Sequence, residues 1–177
     1  MPDSIGILKN KIYSPVQAGF RINHSTDQQI AKLSQYIKDS MDEQETTLAV
    51  FVDFKDAYGS VWRPKVMEKL HNLGIHGKMF RWIYSFINQR FCCTKYGDSI
   101  SKYKQSKKGL PQGSIISPTL FNILINDLPA DLQKSNNKVK CALYADDLVI
   151  WTSLPHMQQN QLSSIMNKTL NLSSKLV

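Results

Sequence analysis

Two short apolar runs meet at a pair of adjacent acids. Residues 141–143 (Cys-Ala-Leu) lead into Tyr144-Ala145-Asp146-Asp147, and Leu148-Val149-Ile150-Trp151 leads away. Runs of strand length hinged on a tight polar centre predict a β-hairpin with the two acids at its tip. Carboxylates ~4 Å apart repel by about 4 kcal/mol at an effective dielectric near 20. Water at an open turn, a proton, or a cation between them relieves that repulsion. A hard divalent ion such as Mg²⁺ takes oxygen ligands of this kind. A solvated turn and a cation site both stay open at this point.

A second apolar run also ends in an acid. Leu48-Ala49-Val50-Phe51-Val52-Asp53 reads as a strand buried on both faces, with Asp53 at its C-terminal end. Asp53 fits a helix N-cap or turn residue as well as a functional carboxylate.

Length and composition narrow the class. The chain has 177 residues, 42% of them hydrophobic and 20% charged, which suits one globular domain, or a piece of one, long enough for a core. A formal net charge of +8 favours a polyanionic partner such as nucleic acid. The three cysteines, Cys92, Cys93 and Cys141, lack Cys-x-x-Cys spacing and are expected to be reduced core residues of an intracellular protein. No basic segment followed by an apolar one marks a secretory signal, and no apolar run approaches the ~20 residues that span a bilayer. A membrane partner is therefore not expected.

In chain order, residues 1–25 read as loop. Ile30, Leu33, Ile37 and Met41 then recur at three- and four-residue steps, predicting a helix capped at Ser25, Thr26 or Asp27. Helices are expected over Pro64–Leu73 and Lys78–Asn88, split by Gly74-Ile75-His76-Gly77. The first faces inward through Met67, Leu70 and Leu73, the second through Met79, Phe80, Trp82, Ile83 and Phe86. A hairpin of Arg90–Tyr96 with Ile100–Ser106 around Gly97-Asp98 carries Lys102 and Lys104 on one face, with Lys107 and Lys108 beyond. That stripe suits a guarded edge strand or a surface following a nucleic-acid backbone. Gly109-Leu110-Pro111-Gln112-Gly113-Ser114 is a loop, and Ser117-Pro118 opens a helix expected to stop at Pro129. Pro155–Leu172 reads as a last helix with Met157, Leu162, Ile165, Met166 and Leu170 inward.

Together these blocks resemble the reverse transcriptase domain of jockey-like non-LTR retrotransposons. The matching stretches are Gln17-Ala18-Gly19-Phe20-Arg21, Phe51-Val52-Asp53-Phe54-Lys55-Asp56-Ala57-Tyr58, Gly109 to Ser114 with Ser117 to Asn122, Ile125-Asn126-Asp127-Leu128, and Tyr144-Ala145-Asp146-Asp147. Tyr-Ala-Asp-Asp alone is a weak signal; the ordered blocks, covering nearly the whole chain, are a specific one. The resemblance implies an α+β fold: a right-hand polymerase palm with partial fingers, an antiparallel sheet backed by helices, and no thumb. Residues 1–45 would be fingers-like and 46–177 mainly palm, with a fingers-type insertion near 65–108.

It further implies RNA-directed DNA polymerase activity by two-metal nucleotidyl transfer to a primer 3′-hydroxyl, with an RNA template, a DNA primer and dNTPs as partners. Asp53, Asp146 and Asp147, with the Phe54 carbonyl, would hold two Mg²⁺ ions, for which Mn²⁺ substitutes; Asp53 and Asp146 rank first. Arg21, Asp56, Ala57, Tyr58, Gln112 and Gly113 would line the nucleotide, Tyr58 as the aromatic gate against a 2′-hydroxyl; ordinary core packing is the other reading of Tyr58. By family logic the place of action is nuclear or cytoplasmic, nuclear at the integration target. Gly59 stands where the family has Asp, which is expected to loosen the turn. Thumb and endonuclease segments are not seen in this stretch, so a truncated element with weak hold on primer and template is expected. A catalytically dead nucleic-acid-binding remnant is the alternative.

Overall fold

The chain reverses at Ala145-Asp146, and that reversal organises a three-stranded antiparallel sheet. The computed structural model describes residues 13–173. The expected loop over 1–25 is therefore described only from Tyr13 on. In chain order the elements are α1 (Thr26–Asp42), β1 (Glu45–Asp53), α2 (Ala57–Ser60), α3 (Arg63–Asn72) and α4 (Gly77–Asn88). A ribbon of two-residue strands follows: β2 (Phe91–Cys92), β3 (Lys95–Tyr96), β4 (Ser99–Ile100) and β5 (Lys104–Gln105). Then come α5 (Ser117–Leu124), α6 (Leu128–Ser135), β6 (Lys140–Tyr144), β7 (Asp147–Pro155), a 3₁₀ turn (His156–Gln161) and α7 (Leu162–Ser173). The contacts separate into one unit of residues 1–54 with 125–177, and a second of residues 55–124.

In the first unit β7 is central, in the order β1-β7-β6. Its register with β1 runs from Glu45 opposite Pro155 to Asp53 opposite Asp147. Residues 16–18 add a short parallel stretch to the free edge of β6: Ala18 N–H donates to the Leu143 carbonyl (2.8 Å), and Leu143 N–H to that of Val16 (3.0 Å). Leu148, Ile150 and Leu154 of β7 are buried, as are Leu132 of α6 and Leu162 and Met166 of α7. Side chains alternate across a strand, so Trp151 and Ser153 point the other way, toward α1. The Tyr36 ring meets Trp151 edge-on at 6.0 Å, and Ser153 Oγ shares hydrogen bonds with Ser40 Oγ (2.8 Å) and Thr47 Oγ1 (2.7 Å).

The structure corrects four expectations. The face of α1 that is buried carries Gln29 and Ser40, while Ile30 and Met41 are more than half exposed. The sheet offers hydroxyls there, so a polar helix face seats on it. Strand β1 is an edge strand, and Phe51 is 76% exposed, so it is not buried on both faces. Pro129 does not end the helix begun at Ser117: α5 stops at Leu124, and Pro129 sits in the first turn of α6, where a missing N–H costs nothing. Met157, expected inward, is exposed in the 3₁₀ turn.

In the second unit α3 buries Val66, Met67 and Leu70, and α4 buries Ile83 and Ile87, while Met79 and Trp82 stand half exposed. Arg63 is buried to 2% and fans its guanidinium over oxygens: Gly109 O (2.7 Å), Ser106 O (2.7 Å), Lys108 O (2.7 Å) and Ser106 Oγ (2.8 Å). Burial, and then the Arg90 charge, push its pKa down, and these oxygens compensate the cation. The expected 90–106 hairpin forms, interrupted between its paired segments. Cys92 and Cys93 are exposed on it; only Cys141 is a core thiol, its pKa pushed up to about 11 by burial.

Candidate active site

The acids of the first unit lie at one end of its sheet. Asp53 is the last residue of β1 and Asp147 the first of β7, directly opposite each other; Tyr144 of β6 is also opposite Asp147. Opposed residues share a face with Cβ atoms about 5 Å apart. Three side chains therefore stand in a row across the strand ends. Asp53 and Asp147 are exposed and Asp146 is half-buried. Among the described residues none of the three carboxylates has a hydrogen bond or ion pair, although like charges directly opposite destabilise a sheet. An open cavity of about 320 Å³ beside them is lined in part by Gln29, Ile30, Phe51, Asp53, Tyr144 and Asp147.

Asp146 belongs to the turn. Ala145 has φ +56° and is the first central residue of a two-residue connection. A non-glycine residue there costs roughly 1–2 kcal/mol. The strained peptide is held from a distance of 128 residues: Gln17 Oε1 accepts from Ala145 N–H (3.0 Å), and Gln17 Nε2 donates to the Ala145 carbonyl (3.2 Å). The same oxygen accepts from Gly19 N–H (2.7 Å), and the whole side chain is buried to 2%. Each such bond is worth about 1 kcal/mol net, so the clamp offsets the strain. Gly19 is required by closeness: a Cβ on it would lie 2.0 Å from Ala145 N.

Arg21 is turned inward, its Nη1 donating to the carbonyls of Ser14 (3.0 Å) and Gln17 (2.9 Å), so it braces the loop carrying the clamp. Phe54 follows Asp53 and is half-buried. In the second unit Asp56 adopts a left-handed conformation (φ 51°) ahead of α2, with Ala57 buried behind it. Its carboxylate lies over Gly59, where a Cβ would meet Oδ2 at 2.3 Å. The Tyr58 ring is half-buried and stacked on Phe121 at 5.0 Å. Gly109 N–H donates to Val61 O (2.9 Å) and Leu110 N–H to Tyr58 O (2.7 Å), which ties the glycine loop to the Tyr58 segment. Gln112 and Gly113 are exposed on that loop.

Hard, exposed, uncompensated oxygens suit Mg²⁺. Two of the three acids, Asp53 and Asp147, are brought together by register, and Asp146 stands one residue off in the turn. In this arrangement of side chains, no group of three His, Cys, Asp or Glu that could hold a metal ion is found among the described residues. Sequence reasoning missed the part Gln17 and Gly19 play. The signal was their place in the Gln17–Arg21 block, but nothing local shows that an amide reaches Ala145.

Comparison with known proteins bears on this arrangement. The profile of the family described as reverse transcriptase (RNA-dependent DNA polymerase) matches residues 5–176. Similar proteins include the RNA-directed DNA polymerase from mobile element jockey of Drosophila melanogaster, 29% identical over 77% of this chain and 15% of its own length. The probable RNA-directed DNA polymerase from transposon BS of the same species is 30% identical over 80% of this chain and 16% of its own. This chain thus spans about a sixth of these relatives. Among solved structures, telomerase from Candida tropicalis, in complex with a TWJ fragment of telomeric RNA, superposes with a TM-score of 0.65 at 11% identity, over 93% of this chain and 30% of that one. A Candida albicans telomerase gives 0.62 at 16%, over 88% and 28%. These likenesses concern the fold.

Proposed function

Because this chain belongs to the reverse transcriptase (RNA-dependent DNA polymerase) family, we propose that it is the palm, with part of the fingers, of an RNA-directed DNA polymerase from a non-LTR element. The observation that carries this reading is the register of Asp53 against Asp147 beside the Asp146 turn. Asp53, Asp147 and Asp146, with the Phe54 carbonyl, would hold two Mg²⁺ or Mn²⁺ ions. When bound, such ions lower the pKa of an attacking hydroxyl and neutralise charge on a leaving pyrophosphate. The chain's own part is to hold carboxylates at fixed positions on a rigid strand end.

The family pattern assigns the nucleotide to the Asp56–Tyr58 turn and to the Gln112-Gly113 loop. Tyr58 acts as the sugar gate, its ring steadied by Phe121. Arg21 serves the same reading by bracing the Gln17 loop through its Nη1. The partners would be an RNA template, a DNA primer and dNTPs. No helix among the described residues is long and apolar enough to cross a membrane.

A second reading, nucleic-acid binding without catalysis, is favoured by one feature. Residues 90–108 hold six cations and one acid, five of the eight net charges of the chain. Phe91, Tyr96 and Tyr103 stand 65–89% exposed among them. Cations interleaved with aromatics suit a single strand.

Primer extension on a homopolymer RNA template separates the two. Divalent-ion-dependent extension, abolished by Asp146→Asn, is the expected result. Salt-sensitive binding without extension would establish the second reading.

A further inference from the structure

We propose that Gln17 is a positioning residue of the catalytic centre, setting where Asp146 and Asp147 stand by gripping the Ala145 peptide from both sides. The inference rests on the polymerase reading for its consequence, but not for its geometry. The carboxamide is the one polar group from outside the hairpin, among the described residues, that bonds both the N–H and the carbonyl of Ala145. Its Oε1 also takes the Gly19 N–H, so its orientation is fixed by three bonds at once. The peptide it holds joins the two strands. A rotation there at φ +56° would swing Asp146 and change the start of β7, where Asp147 faces Asp53. A left-handed alanine has no local reason to stay put.

The surroundings act toward the same end. The parallel stretch formed by Val16 and Ala18 on Leu143 sets the height of Gln17 along β6. Gly19 allows its backbone to lie against Ala145, and Arg21 ties the carbonyls of Ser14 and Gln17. The segment 13–21 is thus a bracket for the turn, and Gln17 is its contact point. Groups that orient metal-binding carboxylates typically account for about 10–100-fold in affinity or activity. Gln17→Leu, which keeps the size and removes the bonds, should cost that much.

The test separates positioning from mere stability. Three variants of the full chain are compared with wild type: Gln17→Leu, Gly19→Ala, and Leu132→Ala as a control that truncates a buried side chain of α6 outside the hairpin. Amide hydrogen exchange at Ala145–Asp147 and Mn²⁺-induced broadening of the same amides are read by NMR, with primer extension measured at matched folded fraction. The proposal expects Gln17→Leu and Gly19→Ala to speed exchange at the turn, weaken the Mn²⁺ midpoint about tenfold or more and slow extension. Leu132→Ala should do none of these once corrected for folding. Equal behaviour of Gln17→Leu and Leu132→Ala overturns the proposal, as does unchanged turn exchange in Gln17→Leu. If wild type neither binds Mn²⁺ nor extends primer, the polymerase reading fails, and the exchange data alone decide whether Gln17 sets the turn.

Discussion

The molecule contains two hairpins of the same design in opposite circumstances. One turns at Ala145-Asp146 between β6 and β7, the other at Gly97-Asp98 between β3 and β4. Both are two-residue connections with positive φ at the first central residue, +56° at Ala145 and +57° at Gly97, and both carry aspartate second. The ribbon turn uses glycine, stands in open space and has no neighbour that a Cβ would meet. The sheet turn uses alanine and is buried there, gripped by Gln17. Glycine lets a turn stabilise itself locally. Alanine hands control to the tertiary structure, so the position of the tip is set by the fold. The first arrangement suits a surface that adapts to a partner, and the second suits a centre that must not move.

The largest separation between the two should come from their aspartates. Asp146→Asn is expected to lower primer extension by more than about 100-fold, beyond the range of residues that only orient ligands. Asp98→Asn should leave extension within about twofold, as an exposed surface change does. Parallel time courses at one enzyme concentration check both.

Swapping the hairpins' first central residues sharpens the point. Gly97→Ala should cost about 1 kcal/mol of local strain and leave extension unaltered. Ala145→Gly should relieve a similar strain, yet make the tip less dependent on its bracket. A double-mutant cycle with Gln17→Leu, followed by urea unfolding, should then show coupling above about 0.5 kcal/mol. Additive effects would mean that the bracket and the strained peptide are independent.

The lysines distinguish the hairpins more weakly. Lys102→Ala or Lys104→Ala should each reduce the slope of log affinity against log salt for single-stranded RNA by about 0.7, with extension at low salt little changed. The smallest contrast is chemical. At pH 8 a maleimide should label Cys92 and Cys93 and spare Cys141, whose raised pKa of about 11 and burial keep it a thiol. Since the folded state holds that proton more tightly than an unfolded thiol at ~8.5, stability from this group is full below that pH. It declines as pH rises toward 11.

Much of this was legible in the chain, for definite reasons. The β6–β7 hairpin announces itself through apolar runs on either side of a polar centre, and Asp53 through its place at a strand end. Helices α3 and α4 are separated by Gly74 and Gly77, both at positive φ, and their limits fall within a residue of expectation. What stayed hidden depends on contacts far apart in sequence. Periodicity pointed α1 inward through Ile30 and Met41, but the sheet presents Ser153 and Thr47, and Ser40 answers them. The exposure of Cys92 and Cys93 follows from a ribbon with nothing packed on it, which composition does not reveal. Arg21 has the chemistry of a phosphate ligand, and only the fold shows its Nη1 donating to two carbonyls. Gln17 reads as a polar residue in a loop until Ala145 is placed against it.

The central claim is that cations collect where Asp53 meets Asp147, next to the gripped turn. Replacing Mg²⁺ by Fe²⁺ and generating hydroxyl radicals there cuts the backbone near bound metal, which reads the site directly. Mg²⁺-suppressible cuts are expected within a few residues of Asp53 and of Asp146-Asp147, both lost in Asp53→Asn. Cuts confined to other segments, or the same pattern in Asp53→Asn, would contradict it.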